Sequence, residues 1–308
     1  MKKILSIVTI LIISISLVAC NFAEEKEYNL DNPTRVAILS LDILDILNEV
    51  DFDKTGIKEL GILFKGRVDY LEQFNTKEVV DLGTHNAFNE LALQKLEPEL
   101  IILGSRVSSM EIELKKKFPK AEIYNATHNI SIGELTDTLN KNVEFLGKKF
   151  PLIKDDLNNK FTTIKDDIAA VKALNTKENR ALVVILSGTE VRYYGADSRF
   201  GMIFKEFGFK NAGYNTENDD SHGEAIGFEA ISDINPEVVF VLDRSSTINS
   251  DGERIDFNQF VTNGKNFNIP AFMNEKIYQL DGNAWYMTSG GFRSANTMIT
   301  DMNKYLVK

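Results

Sequence analysis

The feature that most restricts the fold of this chain is a passage that occurs twice. Residues 84–106 read THNAFNELALQKLEPELIILGSR, and residues 221–244 read SHGEAIGFEAISDINPEVVFVLDR. The Pro-Glu pairs and the final arginines, Arg106 and Arg244, keep one constant offset. Each copy has a His near its start, a helix-like middle, an apolar strand and an Arg just past the strand. The repeat therefore predicts two similar halves built around the same helix–strand unit.

The chain alternates strand-like and helix-like segments on both sides of one long helical stretch. Apolar runs such as Val36–Leu39 and Val238–Leu242 alternate with helical patterns such as Ile132–Lys148. In Pro151–Asn175, a Pro at the start and apolar residues at three-to-five-residue spacing predict one helix of ~37 Å. The predicted fold class is α/β: two similar lobes with central β-sheets flanked by helices, joined by one long backbone helix, with a ligand cleft between the lobes.

The repeated arginines indicate where a ligand binds. Ligands of open α/β sheets sit outside the carboxyl ends of the strands. If the two lobes face each other, Arg106 and Arg244 face one cleft. The alternative is that the shared pattern only reflects how a helix joins a strand, with both arginines solvated.

Composition excludes several classes of protein. A chain of 308 residues with 43% hydrophobic residues has enough apolar material for two cores. A net charge of −10 and a pI near 5.0 argue against a nucleic-acid partner, which needs a basic face. There is no P-loop, G-x-S-x-G or H-E-x-x-H motif and there are only three His, so an enzyme is not expected.

The N-terminus reads as an export signal. Basic residues precede the apolar run Ile4–Val18, and Leu17-Val18-Ala19-Cys20 resembles a lipobox, in which the Cys is lipidated and becomes the new N-terminus. Cys20 is the only Cys, which excludes disulfides. We expect the protein on the extracytoplasmic face of the cell membrane, in the periplasm if the host has an outer membrane. The expected segments are signal peptide 1–19, lipidated Cys and flexible tether 20–34, N-terminal lobe 35–149, interlobe helix 150–176 and C-terminal lobe 177–308.

Several short segments resemble those of one known family. They are GSR at Gly104–Arg106, DSRFGMI at Asp197–Ile203, SHG at Ser221–Gly223, LDR at Leu242–Arg244 and WYMTSGG at Trp285–Gly291. Together with the lipobox and the connecting helix, they resemble the class III substrate-binding lipoproteins of ABC importers, in particular those that bind ferric catecholate siderophores. The resemblance covers essentially the whole mature chain.

The resemblance implies an anion-binding triad of Arg106, Arg199 and Arg244, and metal ligation by His222 and Tyr286. The chemistry agrees, because a ferric tris-catecholate carries about three negative charges and three arginines match them. A siderophore with two catechols leaves two iron coordination sites open, and phenolate and imidazole both suit Fe(III). The alternatives are an exposed loop position for His222 and a core position for Tyr286.

The resemblance also implies the partners. These are the siderophore with its Fe(III) as cargo, an ABC permease and its ATPase, and the membrane through the lipid; no permanent cofactor is expected, and the protein is expected to be a monomer. Exposed acidic residues such as Glu90 and Glu229 are candidates for docking on the transporter. His85 is interpreted as a structural polar residue, with an approach to the cleft from the opposite lobe as the alternative. Tyr193 and Tyr194 are interpreted as core or surface residues, with stacking on catechol rings as the alternative. The nearest rival cargo is a hydroxamate siderophore or haem, and a structural or adhesive lipoprotein is a further alternative.

Overall fold

The first half of the chain forms a parallel sheet. The computed structural model describes residues 27–176, 179–213 and 223–306. The strands of this half are β1 (Arg35–Leu39), β2 (Glu59–Ile62), β3 (Val80–Asp81), β4 (Gly83–Thr84), β5 (Ala87–Phe88), β6 (Leu100–Leu103) and β7 (Glu122–Asn125). Five of them pair in parallel in the order β3-β2-β1-β6-β7, and β4 and β5 form a separate antiparallel pair. The central strands β1 and β6 are buried throughout, as expected for a sheet covered on both faces.

Four α-helices and several short turns surround this sheet. The helices are α1 (Leu41–Asn48), α2 (Glu90–Leu96), α3 (Glu111–Lys117) and α4 (Leu135–Lys149). The 3₁₀ turns are Phe52–Thr55, Asp69–Phe74, Ser105–Met110, Ile130–Ile132 and Pro151–Ile153. Ser40 and Asn89 fix the starts of α1 and α2, because their side chains accept the N–H groups of Ile43 and Ala92.

One long helix, α5 (Lys154–Leu174), connects the two halves. Its 21 residues span about 32 Å, slightly less than the sequence predicts, because the chain from Pro151 forms a 3₁₀ turn first. Leu157, Ile164 and Ile168 lie on its buried face. Leu152 is 77% exposed and the adjacent Ile153 is buried, so burial begins at Ile153 and not at Leu152 as the apolar pattern indicates.

The second half forms a mixed sheet. Its strands are β8 (Arg180–Ser187), β9 (Glu190–Tyr194), β10 (Lys210–Asn211), β11 (Glu224–Ala225), β12 (Val238–Asp243) and β13 (Ile277–Gln279). The order is β11-β9-β8-β12-β13, and β10 also pairs with β8. The strands β8, β12, β13 and β10 run parallel, whereas β9 is antiparallel to both β8 and β11. The helices are α6 (Met202–Lys205), α7 (Phe228–Ile234), α8 (Arg244–Thr247), α9 (Phe257–Gly264), α10 (Pro270–Met273) and α11 (Phe292–Leu306), with a 3₁₀ turn at Lys265–Phe267.

The two lobes share one apolar core. Val36 and Ile38 of β1 and Val183 and Ile185 of β8 all belong to a single cluster that also takes in the buried face of α5. The alternate residues of the same strands belong to two separate outer clusters, one behind each sheet. The structure thus confirms the α/β fold with two lobes and a connecting helix. The two expected cores are not separate, however, because one apolar cluster packs against both sheets. None of the helices in the described ranges is long and apolar enough to cross a membrane.

Candidate functional site

The carboxyl ends of the repeated strands open onto one cavity. Arg106 lies in the turn that follows β6, and Arg244 is the first residue after β12. Both side chains line a cavity of about 800 Å³, together with Arg199, which precedes α6. Residues of both lobes therefore form its walls, at the edge of the sheets where open α/β folds bind ligands.

The three arginines surround Tyr286. Nη2 of Arg106 and Nη2 of Arg199 donate to the carbonyl oxygen of Tyr286 at 2.7 and 3.0 Å. Nε of Arg244 donates to the phenol oxygen of the same residue at 2.8 Å. The three guanidinium carbons lie 5.4, 4.5 and 5.6 Å from the centroid of its ring. A single residue thus brings together arginines from both lobes.

Tyr286 is carried by a π-helical turn, Asn283–Met287, which precedes α11. The neighbouring Trp285 is 1% exposed, and its indole N–H donates to Asp301 at 2.9 Å. This burial anchors the turn in the core while the next side chain faces the cavity. Such turns occur mainly where a helix is distorted at a functional site.

The charges around Tyr286 change its acidity. Burial by itself would raise the pKa of the phenol, but the hydrogen bond from Arg244 and the charges of Arg244, Arg199 and Arg106 outweigh it. The pKa of Tyr286 therefore lies below its ordinary value. A phenol of this kind is a better oxygen ligand for a hard cation than an ordinary tyrosine.

The arginines retain capacity for an anion. Nε of Arg199 is buried and has no hydrogen-bond partner among the described residues. Burial lowers the pKa of Arg199, and the charge of Arg106 lowers it further. Burial also raises the pKa of Asp42, although the nearby positive charges of Arg106 and Arg199 oppose this.

The rim of the cavity is formed by β9. Glu190, Arg192 and Tyr194 line the cavity, whereas Val191 and Tyr193 between them belong to the outer core cluster. Nε of Arg192 forms an ion pair with Glu190 at 2.9 Å. The rim therefore carries a fourth arginine whose charge is already compensated.

The remaining sequence candidates divide into three groups. His85 also lines the cavity, as the alternative interpretation has it, and its ring lies 5.6 Å from that of Phe64. Tyr194 is buried but forms part of the cavity wall, whereas the hydroxyl of Tyr193 bonds to Glu224. His222 lies outside the described residues, as does Cys20. Within the described ranges, no group of three or more His, Cys, Asp or Glu side chains is arranged to hold a metal ion.

The two candidate docking residues lie at helix starts on the surface. Glu90 is the first residue of α2, and its carboxylate pairs with Lys117 at 2.6 Å. Glu229 is in the first turn of α7 and is exposed. They lie on the two repeated helices, one in each lobe.

Sequence reasoning missed Glu190, Arg192 and Ser187, the last of which accepts a hydrogen bond from Arg244 at 3.2 Å. The signal for the first two was the two-residue period of β9, since Tyr194 was already a candidate and every second residue faces the same side. No comparable pattern marks Ser187, because its place depends on the pairing of β8 with β12.

Comparisons with known proteins match this chain over most of its length. Residues 36–284 match the family model described as periplasmic binding protein. The petrobactin-binding protein YclQ of Bacillus subtilis is 28% identical over 280 residues, covering 90% of this chain and 84% of the relative. The ferric-anguibactin-binding protein FatB of Vibrio anguillarum is 29% identical over 279 residues, covering 89% of this chain and 83% of the relative. The crystal structure of the periplasmic catecholate-siderophore binding protein VctP from Vibrio cholerae superimposes with a TM-score of 0.76 at 27% identity, covering 90% of this chain and 95% of VctP.

Proposed function

Because this chain belongs to the periplasmic binding protein family, we propose that it is the substrate-binding lipoprotein of an ABC iron importer. It captures ferric catecholate siderophores in the cleft between its lobes and delivers them to the membrane permease. Relatives over most of its length are named as siderophore-binding proteins, which supports this cargo class. Its activity is binding and not catalysis, as the family description implies.

The observation that carries the proposal is the convergence of Arg106, Arg199 and Arg244 around Tyr286. None of these arginines forms an ion pair with a carboxylate among the described residues, in contrast to Arg192. Three cations that form no such ion pair, in a partly desolvated cleft, favour a compact anion over a neutral molecule. A ferric catecholate complex is such an anion, whereas a neutral ferric hydroxamate uses little of this charge.

Tyr286 is proposed as a direct ligand of the iron. Its phenol faces the cavity, and its lowered pKa favours the phenolate that Fe(III) prefers. His222 is proposed as the second protein ligand on the strength of the sequence resemblance. These two residues complete the coordination of the metal when the siderophore supplies only two catechols.

The proposal extends to the partners and to the placement of the protein. Cys20 carries the lipid that holds the mature chain at the extracytoplasmic face of the membrane, and relatives named as lipoproteins support this. Residues 20–34 are proposed as the tether, whose last part rests on the first lobe, since the N–H groups of Asn29 and Thr34 donate to Glu99. Residues 35–149 and 177–308 form the lobes, and 150–176 joins them. Glu90 and Glu229 are proposed to dock on the permease, one from each lobe. The protein acts as a monomer, since one chain supplies both walls of the cleft.

A titration with a ferric bis-catecholate tests the proposal. We expect a visible phenolate-to-iron charge-transfer band when the complex is added to the protein without iron, and we expect the band to be absent in Tyr286→Phe. The substitution removes one oxygen and leaves the ring, so the folded protein is a matched control. Binding without any new band in the unaltered protein would exclude Tyr286 as a ligand, and no binding would refute the proposed cargo.

A further inference from the structure

Two carboxylates cross from one lobe to the other and meet the start of a helix there. Asp45 lies on α1 of the first lobe and reaches α11, whereas Glu206 follows α6 in the second lobe and reaches α4. The helices α4 and α11 correspond to each other, since each follows the edge strand beside a repeated strand and packs on α5. The two contacts are thus related by the same internal symmetry as the sequence repeat.

Asp45 caps α11 from the opposite lobe. Its side chain is 0% exposed and accepts the N–H of Arg293 at 2.7 Å, the N–H of Ser294 at 3.2 Å and the hydroxyl of Ser294 at 2.7 Å. These are the second and third residues of the helix, whose N–H groups an N-cap side chain normally satisfies. Gly291 leaves room for this carboxylate, because a Cβ there would lie 2.2 Å from the Asp45 carboxyl carbon.

Glu206 plays the corresponding role at α4. Its carboxylate accepts the N–H of Thr136 at 2.9 Å and also the hydroxyl of Thr136, the second residue of that helix. The lobes touch closely beside this contact, since a Cβ on Gly133 would lie 2.4 Å from Cα of Gly201. Burial raises the pKa of both Glu206 and Asp45, although the hydrogen bonds that each accepts oppose this.

Only the Asp45 contact continues toward the ligand cleft. The hydroxyl of Tyr70 donates to Asp45 at 2.5 Å and lies 2.7 Å from the hydroxyl of Thr288. Thr288 directly follows the π-helical turn, and its hydroxyl donates to the carbonyl of Asn283 at 3.0 Å, at the beginning of the same turn. Because the Tyr70 proton is on Asp45, Thr288 shares its one proton between the Tyr70 oxygen and the Asn283 carbonyl. This shared contact links Asp45 to both ends of the turn that carries Tyr286.

We propose that Asp45 is a positioning residue for Tyr286, acting from the first lobe through Tyr70 and Thr288 on a turn of the second lobe. Glu206 is its symmetric counterpart and only caps a helix. Because Arg106 and Arg199 bind the carbonyl of Tyr286, a displaced turn also changes how the arginines meet the cargo. The inference concerns the site of the proposed function, but the placement of the turn does not depend on the identity of the cargo.

Amide hydrogen exchange on the full mature chain without cargo tests the inference with three isosteric variants. Asp45→Asn should speed exchange at the start of α11 and also in Asn283–Thr288. Glu206→Gln, the matched control, should speed exchange at the start of α4 and leave that turn unchanged. Tyr70→Phe keeps the Asp45 cap and the bond from Thr288 to Asn283 but breaks the bridge, so it should speed exchange in the turn and leave the first amides of α11 protected.

The variants separate positioning from general stability. If Tyr70→Phe leaves exchange in the turn unchanged, or if Asp45→Asn and Glu206→Gln expose the turn equally, the positioning role is refuted. Should Asp45→Asn fail to fold, Tyr70→Phe decides the question alone.

Cargo binding supplies a second, functional measurement, which rests on the proposed function. Asp45→Asn should weaken a ferric bis-catecholate several-fold more than a ferric tris-catecholate, because only the former needs Tyr286 as a ligand. An equal loss for both cargoes would contradict the inference. Because the exchange experiment uses no cargo, a failure of the proposed function and a failure of this inference give different results.

Discussion

Replacing Arg244 should weaken cargo binding far more than replacing the arginine at the rim of the same cavity. Arg244 donates to the phenol of Tyr286 at 2.8 Å and to the hydroxyl of Ser187 at 3.2 Å, so its charge is left for the cargo. At an effective dielectric constant of about 20, two unit charges about 4 Å apart attract by about 4 kcal/mol. Arg244→Gln should therefore cost roughly 2 to 5 kcal/mol, the range for truncating a buried charge pair, or about 30- to 5,000-fold in affinity.

The pair Glu190 and Arg192 provides a control for this prediction. The double change Glu190→Gln with Arg192→Gln removes a cavity arginine but keeps the net charge of the protein constant. The two side chains are 57% and 31% exposed, and an ion pair of that kind contributes about 0 to 1 kcal/mol. The control should therefore lose less than about fivefold in affinity.

Quenching of Trp285 fluorescence by a ferric catecholate measures both proteins, because this indole adjoins Tyr286. Melting curves show that each variant folds. An Arg244→Gln protein that melts normally and binds at wild-type strength would show that this arginine is merely solvated. If the control lost as much affinity for the cargo as Arg244→Gln does, the charges that line the cavity would all contribute equally to binding.

Two further predictions concern the metal and the interlobe contact. Replacing His222 by Ala and Tyr286 by Phe together should strongly weaken the binding of a tetradentate bis-catecholate complex but leave the binding of a hexadentate tris-catecholate complex nearly unaffected. Parallel titrations measure both affinities. Equal losses of affinity would mean that these residues shape the pocket without touching iron. Burial, opposed by the hydrogen bonds from Tyr70 and Ser294, raises the pKa of Asp45 from 3.8 to about 6, so the folded protein holds this proton more tightly than the unfolded chain. The resulting stabilisation is complete below pH 3.8 and is lost as the pH rises through about 6. Relative to Asp45→Asn, the wild type should thus lose roughly 3 kcal/mol of unfolding free energy over that range, measured by urea denaturation, and parallel pH profiles would contradict this.

Much of the fold could be predicted because its main elements are periodic and locally specified. The strands β1, β6, β8 and β12 are continuous apolar runs, and α5 has a helical apolar stripe, so their bounds agree with the sequence prediction within a few residues. The sequence also favours a helix over Arg199–Phe207, but within that range only Met202–Lys205 is α-helical. The turn before it requires Gly201, because a Cβ there would lie 2.2 Å from the carbonyl oxygen of Ala196.

Other elements depend on tertiary contacts that leave little trace in the sequence. The strand β2 has only four residues, with Gly61 against Leu96, and is defined by its parallel pairing with β1. The π-helical turn of Tyr286 is fixed by the burial of Trp285 and by the bridge to Asp45, more than two hundred residues away. Long-range contacts of this kind have no local signal.

The candidate site divides in the same way. The internal repeat led to Arg106 and Arg244, and the family resemblance led to Arg199 and Tyr286; all four line one cavity. The repeat succeeded because it reports the end of a strand, which is a local property. The sequence could not predict which cavity arginine has an acidic partner. Arg192 pairs with Glu190 whereas Arg244 forms no such ion pair among the described residues, and this difference follows from packing.

The central claim is that the cleft selects its cargo by negative charge. The most direct test is a competition between a ferric catecholate and a neutral ferric hydroxamate for the mature protein, followed by Trp285 fluorescence at low and at physiological salt. We predict that the catecholate binds much more tightly, and that the difference narrows with salt, since charges are screened over about 8 Å at physiological ionic strength. Equal affinity for the two complexes would contradict the account.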